Sequence, residues 1–205
     1  MDIVFGMYYT IYPQKILSDM KLNKVSITLI VACMIIIVIL IIFLRQLKQL
    51  ALGMLTNNYF TIDELCASDT ARKRGIDNTP TPDAEANLIL LRDRVLNPAR
   101  EALGSTIYVN SGYRSPQLNA AVGGTATSQH LTGQAADITT KSRKRNQQLF
   151  AILVQQGKFD QLIWEGDGKW IHVSYSATAN RGAILAQNTS GGYTNIQSNW
   201  QTTIA

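Results

Sequence analysis

The hydrophobic pattern divides the chain into one long apolar run and a longer region of mixed polarity. Residues 25–44 carry no charge and are rich in Ile, Val and Leu. A helix of this length spans a bilayer core of about 30 Å. From residue 59 onward, apolar positions recur instead at the spacings of helices and strands. The pattern therefore predicts a single transmembrane helix followed by a folded domain.

Basic residues flank the apolar run and bear on its orientation. Three lie before the run and two directly after it, namely Lys15, Lys21, Lys24, Arg45 and Lys48. The excess before the run favours a cytoplasmic N-terminus and a domain outside the cytoplasm. Because no good cleavage site follows, we expect an uncleaved single-pass anchor in the cell membrane. A chain translated from Met54 would instead be a soluble domain.

The folded domain is predicted to be α+β. Strands are predicted over 106–111, 134–139, 159–165 and 169–175, and the main helices from a capping box at Thr61, from Pro82, from Ser115 and over 142–156. Residues 68–81 are polar and contain helix breakers, so we expect a loop there. The expected architecture is a small antiparallel sheet with helices packed on it.

The expected organisation has five parts. They are an N-terminal flank (1–24), the transmembrane anchor (25–44), a linker (45–58), the folded domain (59–175) and a tail (176–205). The tail is rich in Gly, Ser, Asn and Thr without a clear period, which predicts a weakly structured spacer. The formal net charge is +5, but no basic stripe is interleaved with aromatics, so nucleic-acid binding is not expected.

The two histidines of the chain are its strongest chemical signal. His130 is followed seven residues later by Asp137, with Gly133 between them to let the backbone turn. His172 lies in an alternating segment, 170–175, that is typical of a strand. Two imidazoles and one carboxylate form a three-ligand set of the catalytic zinc type, with a fourth position for water. By itself, a histidine in a strand is more often structural than metal-bound.

Three motifs in order strengthen the metal interpretation. They are Asn-Ser-Gly-Tyr-Arg-Ser at 110–115, Ser-x-His-x-x-Gly-x-Ala-x-Asp at 128–137 and Trp-Ile-His-Val at 170–173. Over residues 59–175 the chain resembles the zinc D-alanyl-D-alanine carboxypeptidases and L-alanyl-D-glutamate endopeptidases, which have the hedgehog/DD-peptidase fold and cut peptidoglycan stem peptides. The resemblance implies Zn²⁺ bound by His130, Asp137 and His172.

The same resemblance implies roles for residues around the ligands. Arg114 would bind a substrate carboxylate or the oxyanion that forms when water attacks the amide. Ser128 would lie near the ligand loop or the substrate. Tyr113 is either a pocket wall or a core residue, and the core is the commoner place for such a side chain.

The general base is where the chain departs from the family. Members usually have an acidic residue three positions before the last histidine, and here that residue is Lys169. Asp167-Gly168 predicts a two-residue hairpin turn, which makes Glu165 a diagonal neighbour of His172 on one face. We therefore predict that Glu165 is the base. A three-residue loop would favour Asp167, and a surface ion pair with Lys169 is the non-catalytic alternative for Glu165.

The predicted function is hydrolysis of stem peptides by metal-activated water, as a carboxypeptidase or an endopeptidase. Two alternatives stay open. Lys169 is compatible with a wall-binding module that retains the metal without catalysis, and free dipeptides are an alternative substrate for the same chemistry.

Overall fold

The structure is a computed structural model that describes residues 24–55 and 57–205. The chain divides into two compact units, with the boundary between Leu55 and Thr56. The predicted flank, apart from its last residue, lies outside the described residues. Side chains are described at 29–46 and 57–205.

The first unit contains one long helix, α1 (Lys24–Leu55). The window Leu29–Gln46 has a mean hydropathy of 2.9, and none of it is buried. By length and composition, this helix is long and apolar enough to cross a membrane. The helix continues to Leu55 through most of the predicted linker, because Leu, Gln, Lys and Ala are good helix formers.

The helices of the second unit mostly lie where the capping signals predicted them. They are α2 (Ile62–Cys66), α3 (Asp69–Arg74), α4 (Pro82–Leu91), a π-helical turn (Arg92–Leu96), α5 (Asn97–Leu103), α6 (Pro116–Ala121), α7 (Arg143–Gln156) and α8 (Trp200–Thr203). Thr61 caps α2 by accepting a hydrogen bond from the Glu64 amide. The loop predicted over 68–81 is partly wrong, because Ser68 and Gly75 cap the two ends of α3.

The strands of the second unit form one six-stranded sheet. They are β1 (Tyr108–Ser111), β2 (Ala135–Thr139), β3 (Gln161–Glu165), β4 (Trp170–Ser174), β5 (Ala183–Gln187) and β6 (Tyr193–Asn195). The order in the sheet is β1-β2-β4-β3-β5-β6. The α+β prediction is confirmed, but the sheet is mixed rather than wholly antiparallel, because β5 pairs in parallel with β3.

The C-terminal segment 176–205 is structured, contrary to the prediction of a tail. It supplies β5, β6 and α8, and Ile184, Ile196 and Ile204 are buried in the core. Its strands have only three to five residues and are separated by Gly, Asn and Ser. Such short strands show no clear period in the sequence, although they bury apolar side chains once they pair with the sheet.

The sheet separates the hydrophobic core from the candidate site. Alternate residues of a strand point to opposite faces. One face carries Ile138, Leu162 and Val173, which lie in the core together with Leu149 and Phe150 of α7. The opposite face carries, in register, Asp137 on β2, His172 on β4, Ile163 and Glu165 on β3 and Leu185 on β5.

Candidate active site

His130 is held on a short 3₁₀ turn, Gln129–Thr132. Its amide donates to Ser128 Oγ at 3.4 Å, and Gly133 ends the turn with φ +70°. A Cβ at Gly133 would lie 2.2 Å from the carbonyl oxygen of Ala84. Gly133 therefore supplies a defined left-handed turn in a close contact, and not merely flexibility.

The other two candidate ligands are neighbours in the sheet. Asp137 and His172 are direct partners in the β2–β4 register, so their side chains share a face. His172 Nδ1 lies 2.9 Å from Asp137 Oδ1, and His130 Nε2 lies 3.3 Å from the same oxygen. The two imidazole rings are 5.1 Å apart between centroids. The fold thus brings together residues that are far apart in sequence.

These three residues fit a metal ion. Their ligand atoms all lie within 4.8 Å of one another, and imidazole nitrogen and carboxylate oxygen are donors that zinc accepts. The carbonyl oxygen of Gly112 lies 2.6 Å from His130 Nδ1. Because a carbonyl only accepts hydrogen bonds, Nδ1 carries a proton, which leaves Nε2 as the ring nitrogen that faces Asp137 and that could bind a metal.

Arg114 fixes the second oxygen of the ligand carboxylate. Its Nη2 donates to Asp137 Oδ2 at 2.7 Å, and its Nε donates to Ser111 Oγ at 2.8 Å. Burial alone would raise the pKa of Asp137, but hydrogen bonds and charge from His130 and His172 hold that pKa well below its usual range. Asp137 is therefore an anion, the form in which a carboxylate binds metal.

Glu165 lies on the same face of the sheet as the ligands. The predicted hairpin register is confirmed, with Ile163 opposite His172 and Glu165 opposite Trp170. The Tyr193 hydroxyl donates to Glu165 Oε1 at 3.4 Å. Burial is the main cause that raises the pKa of the Glu165 carboxyl, and the negative charge of Asp137 raises that pKa further.

The rival carboxylate lies at the tip of the hairpin. The Asp167 side chain is 86% exposed, and Arg143 Nη2 lies 3.3 Å from its Oδ1. Its backbone has φ +55°, a conformation that Asp adopts more readily than most residues. The Asp167 side chain therefore pairs at the surface, whereas Glu165 lines the cleft.

The ligands open into a cleft of about 610 Å³. Arg114, Ser128 and Glu165 line it together with the three candidate ligands. Tyr113 lies instead in the hydrophobic core, because its amide donates to the Leu65 carbonyl at 2.8 Å and holds this segment against α2. The core alternative for Tyr113 is therefore the one that the structure supports.

The C-terminal segment contributes cleft residues that the sequence interpretation missed. They are Arg181, Leu185 and Tyr193. The only local signal was a short apolar run, Ala183–Ala186, directly after a glycine. That run is compatible with a buried strand but gives no indication of its partner.

The sequence model of the Peptidase M15 family matches residues 58–174. This span covers more than half of the chain and contains His130, Asp137 and His172. The chain belongs to the Peptidase M15 family. Members are metallopeptidases that typically bind zinc, so the resemblance to the D-alanyl-D-alanine carboxypeptidases is confirmed at the level of the family. A search of curated proteins found no match. The M15 match ends at the last residue of β4, so β5 and β6 lie beyond it.

Proposed function

We propose that this M15 protein is a zinc-dependent peptidase that hydrolyses the stem peptides of peptidoglycan. The observation that supports this proposal is the cluster of His130, Asp137 and His172, whose ligand atoms lie within 4.8 Å of one another in the wall of an open cleft. Zn²⁺ bound by these residues would polarise the amide carbonyl and lower the pKa of a water molecule toward neutrality.

Glu165 is the general base in this proposal. It removes a proton from the attacking water and returns that proton to the leaving amine. A raised pKa brings a carboxylate nearer to the working pH, which favours both transfers. The hydrogen bond from Tyr193 leaves Oε2 of Glu165 for the water. The diagonal position of Glu165 relative to His172 supports this role without an acid at residue 169.

Arg114 and Ser128 also line the cleft and support the reaction. Arg114 lines the cleft while two of its nitrogens hold Asp137 and Ser111. Its guanidinium stabilises the negative charge that develops on the amide oxygen. Ser128 holds the turn that carries His130 and contacts the substrate at the cleft wall.

The proposed location is the cell membrane. Residues 25–44 of α1 form a single-pass anchor, and the catalytic unit lies outside the cytoplasm, where peptidoglycan is found. The exposed apolar surface of α1, with no buried residue between Leu29 and Gln46, supports the anchor. A form beginning at Met54 would be soluble.

The test is digestion of purified peptidoglycan by the full-length protein with and without a chelator. We expect new amino termini to appear, to stop with the chelator and to return with added zinc. Free D-alanine would identify a carboxypeptidase, and a new D-glutamate amino terminus would identify an endopeptidase. Sedimentation with the wall without any release, even with zinc, would contradict catalysis and favour a wall-binding module. Hydrolysis of free dipeptides alone would contradict the wall substrate.

A further inference from the structure

Arg181 lies on the cleft wall, in the segment before β5. Its backbone N–H and its Nε both donate to Asp160 Oδ1 at 2.9 Å, and its Nη2 donates to Asp160 Oδ2 at 2.5 Å. The Asp160 side chain is only 5% exposed, whereas that of Arg181 is 61% exposed. The carboxylate thus lies behind the guanidinium, which faces the cleft.

Asp160 connects Arg181 to the turn that carries the first metal ligand. Its Oδ2 also accepts a hydrogen bond from Gln129 Nε2 at 2.9 Å, and Gln129 directly precedes His130. The hydrogen bond from Arg181 lowers the pKa of Asp160 to about 2, so the carboxylate is charged near neutral pH. The guanidinium is therefore fixed relative to the ligand turn.

The donors of Arg181 are only partly used by this ion pair. A guanidinium has five N–H donors in a fixed fork. Asp160 takes one from Nε and one from Nη2, which leaves three that it does not use. A planar fork with adjacent N–H groups matches a carboxylate better than it matches a neutral amide.

Among the described residues that line the cleft, the other arginine is Arg114. The two arginines differ in solvent exposure. Arg114 is 17% exposed and binds the ligand carboxylate of Asp137. Arg181 is the more exposed of the two. The side-chain hydrogen bonds described for it go to Asp160 and not to a candidate metal ligand. Of these two arginines, Arg181 is therefore the one whose guanidinium an anionic group of the substrate can reach more readily.

We propose that Arg181 binds a free carboxylate of the substrate beside the scissile amide. This inference rests on the proposed peptidase function and adds the feature of the substrate that is recognised. Both candidate cleavages offer such a group. It is the terminal carboxylate of D-alanine after a D-Ala–D-Ala bond, or the α-carboxylate of a γ-linked D-glutamate after an L-Ala–D-Glu bond.

The experiment compares matched substrates with the full-length, zinc-loaded protein in detergent. The first pair is a stem pentapeptide ending in D-Ala–D-Ala and its terminal carboxamide. The second pair is a stem peptide with D-isoglutamate or D-isoglutamine at its second position. For the pair that is cleaved, we expect kcat/KM of the wild-type protein to favour the free acid by roughly ten- to hundredfold, as for one charged hydrogen-bond pair.

The variant Arg181→Gln should lose this preference. We expect kcat/KM to fall for the free acid, mainly through KM, and to change little for the amide. Arg181→Lys should retain part of the preference because it keeps the charge without the fork. Arg72→Gln is the matched control, since Arg72 is an exposed arginine paired with Asp69 at 2.9 Å on α3.

The outcomes separate this inference from the function on which it rests. Equal losses for acid and amide in Arg181→Gln would show that the residue only holds the fold, and would overturn the inference. Cleavage by the wild-type protein without any acid preference would also overturn it and would leave the peptidase function intact. This comparison needs no variant, so it holds even if Arg181→Gln fails to fold. No cleavage of any of the four peptides would overturn both.

Discussion

Two parts of the second unit build the same cleft in different ways. Residues 128–174 contain the candidate metal ligands, which are uncommon side chains in recognisable motifs. Residues 176–205 supply part of the cleft wall through ordinary side chains. His130 and His172 are the only histidines in the chain, whereas Arg181 and Tyr193 are of residue types that are common on protein surfaces. The candidate chemistry of this site is therefore recognisable from residue types in local motifs, while the shape of its cleft depends on strand pairing.

The same contrast appears in two aspartates of these regions, Asp137 and Asp160. Asp137 Oδ1 lies within 3.3 Å of one nitrogen of each imidazole, where a metal would bind. Asp160 receives its hydrogen bonds from Arg181 and Gln129 and joins the C-terminal segment to the ligand turn. Both have a lowered pKa, but one anion serves the metal site and the other serves the assembly of the cleft.

The largest expected effect on activity comes from changing a candidate metal ligand in residues 128–174. His172→Ala removes one of the three proposed metal ligands, and we expect hydrolysis to fall by about a thousandfold or more, since a free water is a far poorer nucleophile than a metal-bound one. Metal content measured by mass spectrometry should fall in parallel. Thermal unfolding in a chelator controls for loss of the fold. A variant that keeps wild-type metal affinity would remove His172 from the site.

The second prediction separates the base from the metal. Glu165→Gln should retain bound metal but lose about 10²- to 10⁴-fold in kcat, as expected for loss of a general base. Asp167→Asn is the matched control on the same hairpin and should stay within twofold of the wild type, roughly the scatter expected of an exposed residue. The reverse result would assign the base to Asp167.

The third prediction concerns the C-terminal part. Ile184 is buried in the core, so Ile184→Ala should lower the free energy of unfolding by about 2–5 kcal/mol. Ile89→Ala is the matched control, because Ile89 on α4 is 36% exposed; it should change stability by less than about 1 kcal/mol. Urea unfolding measures both. Equal, small effects would mean that residues 176–205 are a spacer after all.

The smallest predicted effect is pH-dependent. Asp160→Asn should lower the free energy of unfolding by roughly 1 kcal/mol at pH 7, because solvent screens the exposed Arg181 partner. The folded-state pKa of Asp160, about 2, lies below its unfolded value of about 3.9. The contribution is therefore complete above that unfolded value and is lost as the pH falls through about 2.

Urea unfolding of wild type and Asp160→Asn across this range measures the difference. The other carboxylates titrate in both proteins and largely cancel. A difference that stays constant down to pH 2 would contradict an ionic contribution from Asp160.

Most of the catalytic unit before residue 175 follows from local signals. The Thr61 cap, the proline at the start of α4 and the hairpin register around Asp167-Gly168 all occur as predicted. Helix α3 was not predicted because most of its six residues are polar, so its sequence shows no apolar face. Segment 176–205 was missed because β5 and β6 are too short to show a period. Caps and turns can be recognised because neighbouring residues stabilise them. Strands as short as β5 and β6 are stable only when they pair with other strands of the sheet.

Residue types and their spacing specify the candidate chemistry: two histidines and one aspartate in motifs of one peptidase family, and an apolar run long enough for a membrane. The side chains that surround this chemistry depend on the tertiary structure. It placed Glu165 beside the ligands, Tyr113 in the core, and Arg181 and Tyr193 in the cleft wall. The physical reason is that ligand type is a property of single residues, whereas the face of a strand is set by pairing with distant parts of the chain.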